Sequence, residues 1–170
     1  MSYRLCILLV FFLVTFLPNQ LWAQKKNDAF RLTINKARQP LLIDGRSDEA
    51  DWQQAQVAGK FFMVLPMDTS VAELRTEVRM TYDDQNIYIF AECFHGGWDY
   101  MVESLRRDWN FIKNDNFIFF LDTYDDQTNG FAFGANAAGA QWDGMMSEGS
   151  KVDLSWDNKW ISVNQMHSDR

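Results

Sequence analysis

The chain has 170 residues, 47% of them hydrophobic and 23% charged, proportions that suit one soluble domain with one core and leave too little chain for two ordinary domains. Lys and Arg number 16 against 23 Asp and Glu, a net charge of -7, so no basic surface exists to neutralise a phosphate backbone or an anionic bilayer, and nucleic-acid binding is set aside. An aromatic content of 15% argues against disorder and for β structure with ring packing, or for a ligand surface built from ring faces.

The N-terminus carries Arg4, an apolar run from Leu5 to Leu17, Pro18, and the small residue Ala23 before Gln24, the pattern of a secretory signal peptide over residues 1–23. As a helix the run reaches about 20 Å, short of the roughly 30 Å of hydrocarbon that an anchor must cross. The expectation is a domain over 24–170 exported to the periplasm, the cell surface or the medium. Cleavage removes Cys6 and leaves Cys93 as the only thiol; no internal disulfide can form, and Cys93 reads as a small buried apolar residue.

Phe30–Ile34 and Phe61–Leu65 read as weak strands. Between them, Ser47 is placed to cap a short helix that opens on Asp48 and Glu49 and leads to Trp52, which plugs the core. From Glu73 to Tyr82 the residues Leu74, Thr76, Val78, Met80 and Tyr82 alternate with Glu73, Arg75, Glu77, Arg79 and Thr81, which predicts a strand with one wet face. The turn-forming run Asp83 to Asn86 joins it to Ile87–Phe94, apolar on both faces and so expected at the centre of a sheet. Met101–Arg107 suits a second short helix. Asn116–Leu121 and Phe131–Gly134 flank the polar stretch Asp122 to Gly130 as a second hairpin, and Trp160–Val163 alternates as a last strand. Many short strands and few helices predict an all-β, antiparallel β-sandwich, jelly-roll-like, with one or two short helices.

Three segments carry a family resemblance: Pro40 to Trp52 with its Ile43-Asp44-Gly45, Asp48-Glu49 and Trp52; Val78 to Ile89; and Asp115 to Asp122 followed by Thr128-Asn129-Gly130. Together they resemble carbohydrate-binding module family 9. Arg106-Arg107-Asp108, Leu121 to Tyr124, and Phe133 to Gln141 with Asp143 are similar to a subgroup in which the module begins longer exported chains that continue into an outer-membrane barrel. The resemblance implies a β-sandwich that binds polysaccharide or a sugar chain end as an accessory to glycoside hydrolysis. In that family two tryptophans clamp a terminal sugar, the first three residues before the Asp matched by Asp115, where this chain has Ile112. The family also continues beyond the strand matched by Trp160–Val163, so a C-terminally incomplete domain is expected, with a partner or a missing C-terminal region completing it.

Sugar recognition needs flat ring faces with carboxylates or amides beside them. Trp98, Trp109 and Trp142 stand in loop-like contexts with polar neighbours, among them Asp108 and Asp143, and are the candidate carbohydrate-binding residues. Asp122, Asp125 and Asp126 crowd one turn with Asn129; their oxygens could hold calcium, or serve as ordinary turn formers. Nothing marks an enzyme: His95 and His167 lack metal-site spacing, no nucleophile elbow or phosphate loop occurs, and among so many acidic residues no pair stands out. The expectation is a binding module without catalysis of its own. A periplasmic head domain of a barrel protein, binding partner protein and no sugar, is the alternative.

Overall fold

The computed structural model describes residues 30–65, 69–97 and 99–169. Phe30 and Arg31 group with the leading segment, and the compact unit that carries the sheets is Leu32–Arg170. Its elements are β1 (Asn35–Lys36), α1 (Ala50–Gln54), β2 (Val57–Ala58), β3 (Thr76–Tyr82), β4 (Ile87–Cys93), a 3-10 turn (Phe111–Lys113), β5 (Asn116–Leu121), β6 (Gly130–Asn136), β7 (Gln141–Ser147) and β8 (Lys151–Asp153). They make two four-stranded sheets, the all-β, sandwich-like architecture that the short-strand pattern predicts.

The first sheet grows from the β3–β4 hairpin, paired from Thr76↔Cys93 to Tyr82↔Ile87. Asp83 builds its turn: Oδ1 accepts the backbone N–H groups of Gln85 and Asn86, each at 2.7 Å, and Oδ2 accepts the Tyr88 hydroxyl at 2.7 Å. The other side of β3 is shared by β2, antiparallel, and β1, the one parallel pairing among the described residues. β4 pairs only with β3 among the described residues; apolarity on both faces marks it as covered, not as central. Its cover is α1, whose buried Trp52 packs on Phe90 at 5.7 Å. That places helix cover over the face of β3 expected to be wet, where Thr81 is buried and Arg79 pairs with Glu77 and Glu92. Ser47 does not cap α1: Glu49 holds the N-cap position without a side-chain cap bond, and Ser47 gives its carbonyl to Gln53 Nε2 at 2.7 Å.

The second sheet is the antiparallel meander β5-β6-β7-β8. Gly134 and Gly144 let its strands carry large neighbours, since a Cβ at either would meet Ile118 Cγ1 or Val152 Cγ1 at 2.6 Å. Trp109, Ala132 and Trp142 form the buried cluster on one face, joined by Ile118, Ala140, Val152 and Leu154. On the other face Phe119 stacks on Phe133 at 5.5 Å, and Trp156 and Trp160 close over Phe131 and Phe133.

Several weaker expectations yield to tertiary context. Phe30–Ile34 and Trp160–Val163 form no ladder, and Phe61–Leu65 contributes only the isolated bridge Phe62↔Val71. Met101–Arg107 is not helical; Asn114 draws it into a bridge at Val102, and the helical turn falls at Phe111–Lys113 instead. β7, rich in residues with poor strand propensity, exists because β6 and β8 pair with both of its edges. Cys93 ends an edge strand and is exposed, not buried. No described helix is long and apolar enough to cross a membrane.

Candidate ligand-binding loop

Trp98 lies outside the described residues. Trp109 and Trp142 are only 3% and 7% exposed, so neither presents a ring face to solvent, and their expected role as stacking platforms is corrected to support. Their centroids lie 6.2 Å apart, and Trp109 Nε1 donates to the Ala140 carbonyl at 2.8 Å. The irregular backbone around Trp109 is what lets its indole fold back: a loop residue can bury a large ring and still satisfy its one N–H.

Asp143 is committed as well, to Arg107, and Asp108 Oδ2 lies 3.9 Å from the same guanidinium. This guanidinium donates to Asp157 Oδ1 at 2.9 Å, Gln141 Oε1 at 3.1 Å and the Asn158 carbonyl at 3.4 Å, and it also pairs with Asp143 Oδ1. Asp143 is 0% exposed, and its other oxygen accepts the Asn158 N–H at 2.7 Å. Carboxylate oxygens of Asp108, Asp143 and Asp157 lie within 4.8 Å of one another, the one such group of three among the described residues. Arg107 already supplies the positive charge at this point, so the group works as an ion-paired clasp between the loop, β7 and the segment 155–160.

Asp122, Asp125 and Asp126 do not converge in this way. Asp122 accepts the N–H groups of Tyr124, Asp126 and Gln127, and Asp126 those of Thr128 and Asn129 together with the Asn129 amide. The Asn129 side chain, followed by the backbone N–H groups of Asn129 and Thr128, holds the Asp126 carboxyl well below the usual carboxylate range. These oxygens are engaged in shaping the turn.

An exposed apolar surface lies on the outward side of the loop that follows the buried Trp109. Phe111 is 57% and Ile112 75% exposed, on the 3-10 turn whose Asn110 cap accepts the Ile112 N–H at 3.0 Å. Beside them Lys113 Nζ meets Glu103 Oε1 at 2.8 Å; the hydrogen bond and charge of Glu103 raise the Lys113 pKa. Underneath, two buried asparagines hold the loop. Asn114 Oδ1 accepts the Glu103 N–H at 2.9 Å, and its Nδ2 donates to the Asn110 carbonyl at 2.8 Å. Asn136 Nδ2 donates to the Ser104 carbonyl at 2.7 Å, while its Oδ1 accepts Ala138 N and Ala140 N. Asn116 ties the turn again through the Phe111 carbonyl at 2.9 Å. Every side-chain polar atom of Asn114 and Asn136 is engaged, so this loop is preorganised.

Protein-family models, curated proteins and solved structures were compared with the chain. None matches. The residues that organise the loop, Arg107, Asn114 and Asn136, carry no signal as a ligand site in the sequence. Their only trace there is that Arg107 and Asn136 fall inside segments of the family resemblance and Asn114 adjoins one.

Proposed function

We propose that this chain is an exported, non-catalytic carbohydrate-binding domain of the family 9 type, which takes a polysaccharide or sugar chain end on the Phe111–Lys113 turn. The observation that carries the proposal is the rigidly supported loop that offers the Phe111 ring and Ile112 to solvent beside the Glu103–Lys113 pair. The family resemblance puts the first clamp residue on this same turn, at Ile112. A ring face that removes about 100 Å² of apolar surface from water contributes roughly 2.5 kcal/mol. That corresponds to a dissociation constant of about 10 mM, so a single platform binds weakly and gains by being one of many along a polymer.

The test is a titration of the chain with xylo- and cello-oligosaccharides, followed by NMR amide shifts. Shifts confined to 103–113 and lost in Phe111→Ala support the reading; none at about 50 mM ligand removes it. A second reading, an interaction head domain that contacts a partner protein and no sugar, is favoured by the burial of Trp109 and Trp142 and by Ile112 at the clamp position. It gains ground if Phe111 responds to no saccharide.

A further inference from the structure

Asp108 sits in the clasp with its charge incompletely balanced. Its backbone is at φ 59, held by a bond from its N–H to the Gln141 carbonyl at 3.0 Å. Its Oδ1 is shielded from solvent and meets no donor. The charged groups facing it are Arg107 from its own loop, with Nε 3.9 Å from Asp108 Oδ2, Asp143 from β7 and Asp157 from the segment 155–160. Three carboxylates therefore surround one guanidinium, and that guanidinium gives its close hydrogen bonds to the other two. A proton on Asp108 relieves both problems: it turns the orphaned acceptor into a donor and removes one of three like charges.

We propose that Asp108 is the proton-binding member of an acid-tightened clasp that fastens the 155–160 strap onto the second sheet. The strap carries Trp156 and Trp160 over Phe131 and Phe133, and it reaches the clasp through Asp157 and Asn158. In agreement, burial raises the Asp108 pKa, aided by Asp143 and Asp157 and opposed by the Asp143 backbone N–H and by Arg107. A carboxyl whose pKa is higher with the strap held than released binds its proton more tightly in the held state. The fastening is therefore complete below the ordinary value of 3.8 and weakens as pH rises through the elevated one.

Hydrogen exchange at 155–160, corrected for intrinsic rates, reads the fastening directly. On going from pH 7 to pH 4 protection there should rise, because a carboxyl that binds its proton more tightly with the strap held favours the held state as it protonates, with β6 and β7 unchanged. Asp108→Asn, which cannot titrate, should show protection independent of pH. Asp157→Asn, at an exposed position, should flatten the profile in part, and it keeps the test alive if the first variant does not fold. Carboxyl ¹³C titration of the unaltered chain should place Asp108 above 3.8. Protection that falls on acidification, a profile that survives Asp108→Asn, or an Asp108 pKa at or below the ordinary value overturns the proposal. So does calcium that reproduces the acid effect at pH 7, since the clasp would then be a cation site.

Discussion

Replacing Trp109 by Ala tests whether this indole is a support or a platform. A buried indole takes about 200 Å² out of water, worth about 5 kcal/mol at 25 cal/mol per Å². Residual compactness of the unfolded chain trims that to about 3–4.5 kcal/mol. Loss of the bond to the Ala140 carbonyl adds about 1 kcal/mol, so Trp109→Ala should cost about 4–5.5 kcal/mol, at the top of the range for deleting a buried aromatic. With a urea slope of about 1.5 kcal/mol/M the midpoint falls by roughly 3 M. Because so few large side chains are buried here, that loss can unfold the domain outright. Trp109→Phe keeps most of the ring and should cost about 1–2 kcal/mol, mainly the hydrogen bond and the smaller contact area. Urea unfolding followed by far-UV circular dichroism measures both. A cost below about 1 kcal/mol for the Ala variant refutes the reasoning, because only a solvent-facing indole can be removed so cheaply.

Two further outcomes concern the second sheet and its loop, and a third concerns the β3–β4 turn. Asn136→Ala strips partners from the Ser104 carbonyl and the Ala138 and Ala140 N–H groups; it should cost about 2–4 kcal/mol in urea unfolding and speed hydrogen exchange across 103–113. Arg107→Ala leaves the fully buried Asp143 without its counter-charge and should cost about 3–5 kcal/mol by thermal or urea unfolding, with Arg107→Lys intermediate because it lacks the forked donor set. The Tyr88 hydroxyl, followed by the Gln85 N–H, lowers the Asp83 carboxyl to about 2. Its support of the β3–β4 turn is therefore present above the ordinary value near 3.8 and is lost as pH falls through about 2. Exchange in that hairpin should show this step, and Asp83→Asn should abolish it.

The elements legible in the sequence are those where local pattern and tertiary role agree. β3 declares itself by alternation, and β5 by an uninterrupted apolar run bounded by turn residues. β7 is hidden, because Gln141-Trp142-Asp143-Gly144 resembles a loop; its strand character comes from partners on both edges. The β4 edge position is equally illegible: an apolar run reads as a central strand, whereas β4 pairs only with β3 among the described residues and α1 covers it at Phe90. For the 103–113 loop, sequence context places Trp109 in irregular backbone but cannot say which way its ring points. That direction is set by contacts distant in sequence, the Ala140 carbonyl that accepts its Nε1–H and the Trp142 ring on which it packs.

The aromatic content, which from composition alone suits a sugar-binding surface, is largely accounted for by support. Trp52, Trp109, Trp142, Trp156 and Trp160 each pack on another ring, and a domain with few fully buried side chains depends on such pairs for its cohesion. Ring count is thus a poor guide to ligand capacity, whereas ring exposure on a rigid support is a better one. By that criterion Phe111 qualifies, since the groups around it are already hydrogen-bonded and binding there immobilises little that is not fixed beforehand. Under the proposed sugar-binding function, discrimination between sugars would fall to Glu103 and Lys113, an exposed pair at 2.8 Å that would exchange its mutual bond for hydroxyl contacts. Such an exchange changes affinity little and orientation more. Glu103→Gln should accordingly leave the strength of oligosaccharide binding near its original value while altering which of two isomeric ligands is preferred, as read by competition in the NMR titration. Equal preference before and after would mean that the pair does not touch the ligand.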